Sequence, residues 1–313
     1  MARAFVFPGQ GSQAVGMGRD LAEAFATARD VFEEVDEALN QRLSRLMFEG
    51  PESELTLTEN AQPALMAVSL AVTRVLAKDG GLDPSRHLAF VAGHSLGEYS
   101  ALAAAGTFSL GDAARLLKQR GQAMQKAVPV GVGAMAALLG LDLDAAREIA
   151  KEAAQGQVCA AANDNAPGQV VVSGHKAAVE RAIEIAAGRG ARRSVLLPVS
   201  APFHCPLMAP AANIMAEALA AVTMTPPAVP LVANVTAAKV TDPEEIRRLL
   251  VEQVTGLVRW RESVLFMKGE GVDQLVEIGS GKVLAGLAKR IDRELAATSV
   301  GAPAEIEVFL KTL

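Results

Sequence analysis

The sequence predicts an α/β protein in which a large α/β-hydrolase-like domain with a mostly parallel sheet is interrupted by a small ferredoxin-like βαββαβ subdomain. Three observations predict this architecture. Short apolar runs of strand length alternate with helical runs along the chain. A Gly-x-Ser-x-Gly sequence, residues 93–97, lies between one such run and an alanine-rich helix. Residues 131–198 follow the order β-α-β-β-α-β, which assigns residues 1–130 and 199–313 to the large domain.

Composition indicates a globular protein and excludes several function classes. The 313 residues can bury a large core, and a net charge of −5 argues against nucleic acid as a partner. No apolar run reaches the length of a membrane span, and the N-terminus runs straight into a strand without a leader. Cys159 and Cys205 give neither a disulfide framework nor metal-ligand spacing. We therefore expect a cytoplasmic monomer that contacts no membrane and binds no metal.

The first strand, residues 2–7, ends in a loop rich in glycine and amide side chains, Pro8-Gly9-Gln10-Gly11-Ser12-Gln13. A glycine-rich loop after a strand can bind phosphate, but this one lacks both the Gly-x-Gly-x-x-Gly pattern and the lysine of a P-loop. Two interpretations remain, with equal weight. Either the loop supplies a backbone N–H to an oxyanion at the sheet edge that Ser95 shares, or it is a tight turn filled with polar side chains.

Helices are predicted on both sides of the central motif. Residues 19–78 have a mostly helical pattern with a polar interruption at 52–60, and residues 62–78 are apolar on nearly all sides, as in a helix buried beneath the sheet. Another helix is predicted over residues 110–126. Composition alone predicts that its cations form a solvated face. These cations are Arg115, Lys118 and Arg120.

The Gly-x-Ser-x-Gly sequence is typical of a nucleophile elbow. Residues 88–92 form the strand before it, and residues 96–104 form the helix after it. Gly93 and Gly97 allow a sharp turn that exposes the Ser95 hydroxyl, and the free N–H groups at the start of the helix suit a developing oxyanion. The alternative is a glycine-bounded turn whose serine only caps the helix.

The small subdomain has the most regular pattern in the chain. It is bounded by Gly131 and Pro198, and residues 163–168 give a strong turn signal. Pockets tend to lie at the interface between two such domains. Strands are predicted over 132–139, 158–162, 169–173 and 193–197, and helices over 142–154 and 176–187.

A serine nucleophile needs a base, and the chain has four histidines. His94 is the neighbour of Ser95, and successive side chains in a tight turn point apart. His87 precedes the strand at the end opposite the elbow, and His175 lies at a turn into a helix of the subdomain. His204 lies on a proline-stiffened loop that returns to the large domain, so it is the best candidate.

The rest of the chain offers no acid to complete a triad. A helix to about residue 219 follows His204, and no further histidine occurs. The order of an α/β-hydrolase triad, serine then acid then histidine, is therefore not met. Further strands are predicted at 231–233 and 274–278, with helices over 243–253, over 260–268 and from the last strand to residue 290.

Six motifs occur in order along the chain. They are Phe7-Pro8-Gly9-Gln10-Gly11-Ser12-Gln13, Gly93-His94-Ser95-Leu96-Gly97-Glu98-Tyr99, Gln119-Arg120-Gly121, Ala162-Asn163 with Pro167-Gly168-Gln169-Val170-Val171, Phe203-His204, and Glu277-Ile278-Gly279-Ser280-Gly281-Lys282-Val283-Leu284. Each alone is weak, but the ordered set is specific. Over essentially its full length the chain resembles the malonyl-CoA:acyl carrier protein transacylases of bacterial fatty-acid synthesis.

The resemblance implies catalytic roles for the matching residues. Ser95 takes the malonyl group as an oxyester, with His204 as the general base. The backbone carbonyl of Gln253 orients the histidine, which accounts for the missing acid. The backbone N–H groups of Leu96 and Gln10 form the oxyanion hole.

The resemblance also implies substrate contacts. Arg120 binds the malonyl carboxylate through a bidentate pair of hydrogen bonds. An arginine suits a planar anion better than a lysine does. For Arg120 this role replaces the solvated position that composition predicts. His94 and Asn163 line the pocket. Phe203 fills the space that an α-methyl group would occupy, and so favours malonyl over methylmalonyl.

The implied reaction is ping-pong transfer from malonyl-CoA to Ser95 and then to the phosphopantetheine thiol of acyl carrier protein. This exchange needs no metal and no redox cofactor. The carrier protein is expected to be acidic, so exposed cations are candidate contacts, although ordinary surface cations are an equal interpretation. The candidates are Arg192, Arg193, Lys282, Lys289 and Arg290.

Other functions fit part of the pattern. The malonyl-loading subunit of a malonate decarboxylase and a polyketide acyltransferase share the chemistry. A serine thioesterase belongs to another reaction class, and both Arg120 and the absence of a hydrolase-like acid argue against it. A carrier-binding module with a decayed site is the non-enzyme alternative, which the intact set of Ser95, His204, Arg120 and Gln10 disfavours.

Overall fold

The structure is a computed structural model that describes residues 2–313. Two sheets organise these residues. The strands in chain order are β1 (Arg3–Phe7), β2 (Leu88–Gly93), β3 (Gly133–Leu139), β4 (Cys159–Ala166), β5 (Gln169–His175), β6 (Arg193–Leu196), β7 (Leu231–Val232), β8 (Lys239–Val240), β9 (Gln274–Ile278) and β10 (Ala296–Val300).

Helices cover both sheets, and none of those in residues 2–313 has the length and apolar character needed to cross a membrane. In chain order they are α1 (Arg19–Ala24), α2 (Ala26–Leu39), α3 (Leu43–Glu49), α4 (Glu52–Leu55), α5 (Thr58–Lys78), α6 (Pro84–His87), α7 (Gly97–Ala104), α8 (Leu110–Ala127), α9 (Leu143–Ala154), α10 (Lys176–Gly188), α11 (Ala209–Ala220), α12 (Pro243–Thr255), α13 (Trp260–Gly269), α14 (Val283–Ile291) and α15 (Pro303–Leu310).

The large sheet has six strands in the order β10-β9-β1-β2-β7-β8. Its neighbouring strands are parallel except for the pair β7 and β8. Phe7 at the end of β1 pairs with Gly93 at the end of β2. Because these parallel strands end at the same edge, the loop after β1 and the elbow after β2 leave the sheet side by side.

The helix predicted beneath the sheet is confirmed. α5 is buried along most of its length, and it packs against the elbow helix α7 and against strand β9. Every residue of β1 is buried as well. The apolar core therefore holds the elbow on rigid elements, which is the support that a precise catalytic geometry needs.

The small sheet is antiparallel, with the strand order β4-β5-β3-β6, and α9 and α10 pack on it around a separate apolar core. At β4 it is joined to the segment between α12 and α13. The backbone N–H of Asp164 donates to the carbonyl of Val258, and the N–H of Val258 donates to the carbonyl of Ala162. The buried Asp164 carboxylate also pairs with Arg261 at 2.8 Å.

The turn predicted at residues 163–168 is wrong over most of its length. β4 continues to Ala166, and only Pro167 and Gly168 connect it to β5. Hydrogen bonds from β5 and from Val258 hold these polar residues in the strand, where local turn propensity predicts a loop. β4 pairs with β5 through two register shifts, and such bulges re-aim side chains beside functional sites.

Three other differences concern short elements. The polar interruption at residues 52–60 contains α4 and the start of α5. Strand β8 has two residues, too few for a recognisable pattern. Strand β10, with the sequence AATSV, lacks apolar alternation, and neither it nor α15 is predicted by the sequence. The other predicted strands and helices are present.

Candidate active site

The turn after β2 is a sharp elbow that only glycine permits at its two flanks. A Cβ atom at Gly93 would lie 1.9 Å from the carbonyl carbon of Gly97, and one at Gly97 would lie 2.2 Å from the carbonyl oxygen of Phe7. Ser95 between them has a left-handed backbone with φ 54°. Non-glycine residues seldom adopt this conformation, and it is common at functional sites.

His204 is the base candidate that the structure brings to Ser95. The Nε2 atom of His204 lies 2.8 Å from Oγ of Ser95, and Nδ1 lies 2.8 Å from the carbonyl oxygen of Gln253. A carbonyl can only accept, so Nδ1 carries the proton and Nε2 accepts from the serine hydroxyl. Burial, together with the charge of Arg120, lowers the pKa of His204 to about 3. The imidazole is therefore neutral at pH 7 and able to take a proton.

Arg120 is buried against Ser95, so the solvated face predicted from composition is wrong for this residue. Its exposed fraction is 1%. Nη2 donates to Oγ of Ser95 at 3.1 Å and to Oε1 of Gln253 at 2.8 Å, and Nη1 donates to Oε1 of Gln62 at 2.9 Å. The buried Nε–H has no acceptor among residues 2–313.

The two other cations of α8 differ from Arg120. Arg115 is exposed and pairs with Asp112 at 2.7 Å. Lys118 is half-buried, and its ammonium group donates to Oδ1 of Asn60 at 2.9 Å. A helix turns by about 100° per residue, so cations at neighbouring positions meet different surroundings. The presence of three cations in this helix therefore does not reveal which of them faces the site.

The N–H groups of Leu96 and Gln10 are available to a bound oxyanion. Leu96 immediately precedes the first residue of α7, and neither N–H donates to an acceptor within the described part of the chain. Both residues line the cavity described below. Unpaired N–H groups at a helix start and in an adjacent loop are the donors of an oxyanion hole.

A cavity of about 580 Å³ lies between the large and the small sheet. It contains every sequence-predicted site residue except Gln253, which lies behind it with 0% exposure. Its lining residues are Gln10, Gly11, Gln13, Glu52, Thr56, Gln62, His94, Ser95, Leu96, Arg120, Met124, Met135, Asn163, Leu197, Pro198, Val199, Phe203 and His204.

His94 has its hydrogen-bond partner on β4. Its Nε2 atom lies 2.9 Å from Oδ1 of Asn165 on β4, and its ring is tilted against Trp260 with the centroids 5.8 Å apart. Burial lowers the pKa of His94, with the hydrogen bond to Asn165 opposing that shift. His94 therefore links the elbow to the small sheet as a neutral ring.

Neither remaining histidine lies at the cavity. His87 ends α6, before β2, and its Nδ1 atom lies 2.8 Å from the carbonyl oxygen of Asp83. His175 is the last residue of β5 and precedes α10, and its Nδ1 atom accepts from the N–H of Val158 at 2.9 Å. Within residues 2–313 no group of three acidic, histidine or cysteine side chains is arranged to hold a metal ion.

Three buried polar residues of the site are not singled out by the sequence. Gln62 bonds Arg120, and Asn234 accepts from the N–H of Ser95 at 2.8 Å. Glu98 accepts from Nε2 of Gln253 at 2.7 Å. A signal exists for two of them, because Gln62 and Glu98 are polar residues in otherwise apolar helical runs. Asn234 lies in a loop and has no such signal.

Comparison with known proteins gives one consistent result. The sequence profile of the acyl transferase domain matches residues 4–299. The malonyl CoA-acyl carrier protein transacylase of Bacillus subtilis (strain 168) is 47% identical over 311 residues, which cover 99% of this chain and 96% of the relative. That of Escherichia coli (strain K12) is 47% identical over 308 residues, 98% of each chain.

Two solved structures have the same fold. An acyl-carrier-protein-S-malonyltransferase from Bartonella henselae has a TM-score of 0.97 and 59% identity, covering 100% of this chain and 99% of its own. A second structure is of a type II PKS acyl-carrier protein in complex with its malonyl-transacylase. It has a TM-score of 0.96 and 45% identity and covers 100% of both chains.

Proposed function

The chain belongs to the acyl transferase domain family, and we propose that it transfers malonyl groups from malonyl-CoA to the phosphopantetheine thiol of acyl carrier protein. This proposal is supported above all by the groups that surround the Ser95 hydroxyl oxygen. Oγ of Ser95 lies 2.8 Å from the neutral His204 imidazole and 3.1 Å from the Arg120 guanidinium. A nucleophile, its base and a cation for a carboxylate are thus adjacent.

The first half of the reaction loads the enzyme. Oγ of Ser95 attacks the thioester carbonyl of malonyl-CoA while Nε2 of His204 takes the hydroxyl proton. The N–H groups of Leu96 and Gln10 stabilise the tetrahedral oxyanion. As the intermediate collapses, the carbon–sulfur bond breaks and the His204 imidazolium returns its proton to the leaving CoA thiolate. The product is a malonyl oxyester on Ser95.

The second half reverses these steps with another thiol. The phosphopantetheine thiol of the carrier gives its proton to His204 and attacks the oxyester, and Ser95 leaves with that proton. The carbonyl of Gln253 keeps Nδ1 protonated through both halves and so fixes the tautomer. Thioester and oxyester have the same oxidation level, so the exchange needs only the two substrates.

Arg120 is proposed to select for the malonyl carboxylate. A guanidinium presents a planar fork of donors that matches a carboxylate. Two features support this role: Nη2 already contacts the nucleophile, and the buried Nε–H has no acceptor among the described residues. His94 and Asn163 are proposed to line the acyl pocket. Phe203, 8% exposed on the cavity wall, is proposed to limit its size.

We also propose a class for each of the two domains. The strand order of the small sheet supports a ferredoxin-like subdomain over residues 131–198, and the elbow supports an α/β-hydrolase-like large domain. A monomeric state and a cytoplasmic location stay predictions of the sequence. So does a basic docking surface for the carrier; of its candidates, Lys282 pairs with Glu305 and Arg290 donates to Gln169.

The second candidate function is the same transfer to a carrier protein of a different pathway. One relative, 45% identical, is solved with a type II PKS acyl-carrier protein. A malonyl donor for polyketide synthesis is therefore the alternative to one for fatty-acid synthesis. Competition between the two kinds of carrier for one preparation of malonyl-enzyme distinguishes them, because the physiological carrier is malonylated faster.

Intact-mass spectrometry with malonyl-CoA tests the proposed function. We expect a malonyl adduct on the wild-type protein, none on Ser95→Ala, a weak one on Arg120→Ala, and transfer of the adduct to added carrier. Loss of the adduct to water at the same rate with and without carrier would indicate a thioesterase. No adduct on the wild type would refute the assignment.

A further inference from the structure

A buried carboxylate lies directly behind the nucleophile and takes no part in the steps above. Glu98 is three residues after Ser95, and its exposed fraction is 1%. Its Oε2 atom accepts from Nε2 of Gln253 at 2.7 Å and from the N–H of Asn234 at 3.4 Å. Burial raises the pKa of Glu98 to about 7. A buried carboxyl group destabilises the fold unless it has a specific hydrogen-bond partner.

The partner is the side chain of Gln253, which lies between two opposite charges. Its Oε1 atom accepts from Nη2 of Arg120 at 2.8 Å, and its Nε2 atom donates to Glu98 and to the carbonyl of Ser95, the latter at 2.9 Å. A guanidinium can only donate, and a carboxylate can only accept. Each end of the amide therefore faces the charge that it complements.

We propose that Glu98 is a positioning residue for malonyl recognition: it holds the Gln253 amide in the orientation that keeps Arg120 beside Ser95. The inference rests on the proposed function in that Arg120 binds the malonyl carboxylate. Without an acceptor at position 98, the amide can turn its NH₂ group toward Arg120. Donor would then face donor, and the guanidinium would move away from Oγ of Ser95.

The Ser95–His204 pair depends on a different part of Gln253. His204 donates to the backbone carbonyl of Gln253, which does not move when the side-chain amide turns. Loss of Glu98 should therefore weaken carboxylate recognition much more than activation of the serine. This separation distinguishes a positioning role from general support of the fold.

The test compares two reactions of Ser95 in Glu98→Met and Gln253→Met. One is acylation by subsaturating malonyl-CoA, followed by intact mass. The other is labelling by an uncharged alkyl fluorophosphonate, in which an oxygen–phosphorus bond forms, fluoride leaves and His204 takes the proton. We expect acylation to fall about 10- to 100-fold in both variants, the loss for a misplaced charge-assisted hydrogen bond, while labelling of Glu98→Met stays within about threefold of wild type.

Two further variants are the controls. Glu98→Gln keeps an acceptor oxygen at the same reach, so it should restore most of the malonyl acylation that Glu98→Met loses. Glu277→Met removes another carboxylate that is 0% exposed, one that accepts from the N–H of Ala285 at 2.8 Å and does not line the cavity. It should lower thermal stability and leave the ratio of the two rates unchanged.

The outcomes separate this inference from the proposed function. Equal losses of both rates in Glu98→Met and Gln253→Met, or no loss of acylation, would overturn the inference while the wild type still forms a malonyl adduct. A change of ratio in Glu277→Met as large as in Glu98→Met would overturn it too. A wild type without adduct would refute the proposed function itself. If Glu98→Met does not fold, Gln253→Met and Glu98→Gln decide the question.

Discussion

Ser95 and His204 both have a left-handed backbone, with φ 54° and φ 57°, and this shared conformation accompanies a contact of 2.8 Å between Oγ and Nε2. Neither residue is a glycine, so each stores conformational energy that the surrounding packing must balance. Both residues are held by hydrogen bonds: the backbone N–H of Ser95 donates to Asn234, and Nδ1–H of His204 donates to the carbonyl of Gln253. The strained pair is therefore fixed before substrate arrives.

Relief of this strain at the elbow should be measurable. Ser95→Gly and Ser95→Ala both remove the proposed nucleophile, so neither should form a malonyl adduct. Glycine tolerates positive φ where alanine does not, and we expect Ser95→Gly to be more stable than Ser95→Ala by up to about 1 kcal/mol. Chemical denaturation of both variants gives the difference. A more stable alanine variant would mean that the elbow is not strained.

Arg120→Lys should impair malonyl transfer although it keeps the charge. Three acceptors, on Ser95, Gln62 and Gln253, are arranged for the fork of a guanidinium, and a lysine ammonium cannot reach all of them in the same plane. We expect kcat/KM for malonyl-CoA to fall by about 100-fold. Arg115→Lys, at the exposed position on the same helix, is the control and should leave kcat/KM unchanged.

The acylation rate should not fall near pH 6.5, where an ordinary histidine base becomes protonated. Burial and the Arg120 charge depress the pKa of His204 to about 3, so the base stays neutral as the pH falls through its ordinary value of 6.5. We expect the single-turnover rate in the Glu98→Gln background to be nearly flat from pH 8 to pH 5. That background removes the Glu98 carboxyl group, whose pKa of about 7 lies in this range. A tenfold fall centred near pH 6.5 would contradict the prediction.

Glu98 should make the folded protein less stable as the pH rises from 5 to 8. Its pKa rises from 4.5 to about 7 on folding, so the folded state holds the proton more tightly. Its contribution to stability is complete below pH 4.5 and is lost as the pH rises through 7. Glu98→Gln should therefore gain stability relative to wild type between pH 5 and pH 8. Denaturation midpoints of both proteins at these two pH values check this, and a constant difference would contradict it.

Phe203→Ser should enlarge the acyl pocket. The ring is nearly buried on the cavity wall next to the base. Its removal leaves room for an α-methyl group, so we expect the preference for malonyl-CoA over methylmalonyl-CoA to fall by about tenfold, the usual value of one methyl contact. Competition between the two donors for Ser95 measures the preference. An unchanged preference would rule out a role for Phe203 in this selection.

Much of the architecture could be predicted because it is encoded locally. The elbow is recognisable because both of its glycines are required: a Cβ atom at Gly93 would lie 1.9 Å from Gly97, and one at Gly97 would lie 2.2 Å from Phe7 at the adjacent strand end. Strands β1, β2 and β9 and helix α5 are buried enough to appear as apolar runs. His204 could be chosen by elimination, because the chain has only four histidines.

Other features depend on contacts between distant parts of the chain. The run from Asn163 to Asn165 has the composition of a turn, yet pairing with β5 and with Val258 makes it a strand. Arg120 lies on the same helix as Arg115, and the packing of α8 against its neighbours buries one and leaves the other exposed.

The sequence by itself therefore determined most of the elements, the elbow and the chemical types of the candidate catalytic groups. The tertiary structure alone decided which buried polar atoms meet behind them. Gln253, Glu98, Asn234 and Arg120 lie far apart in the chain, and hydrogen bonds of 2.6 to 3.4 Å join them to one another and to the elbow. No periodicity encodes such a network, since each bond depends on how separate helices and loops pack around one strand end.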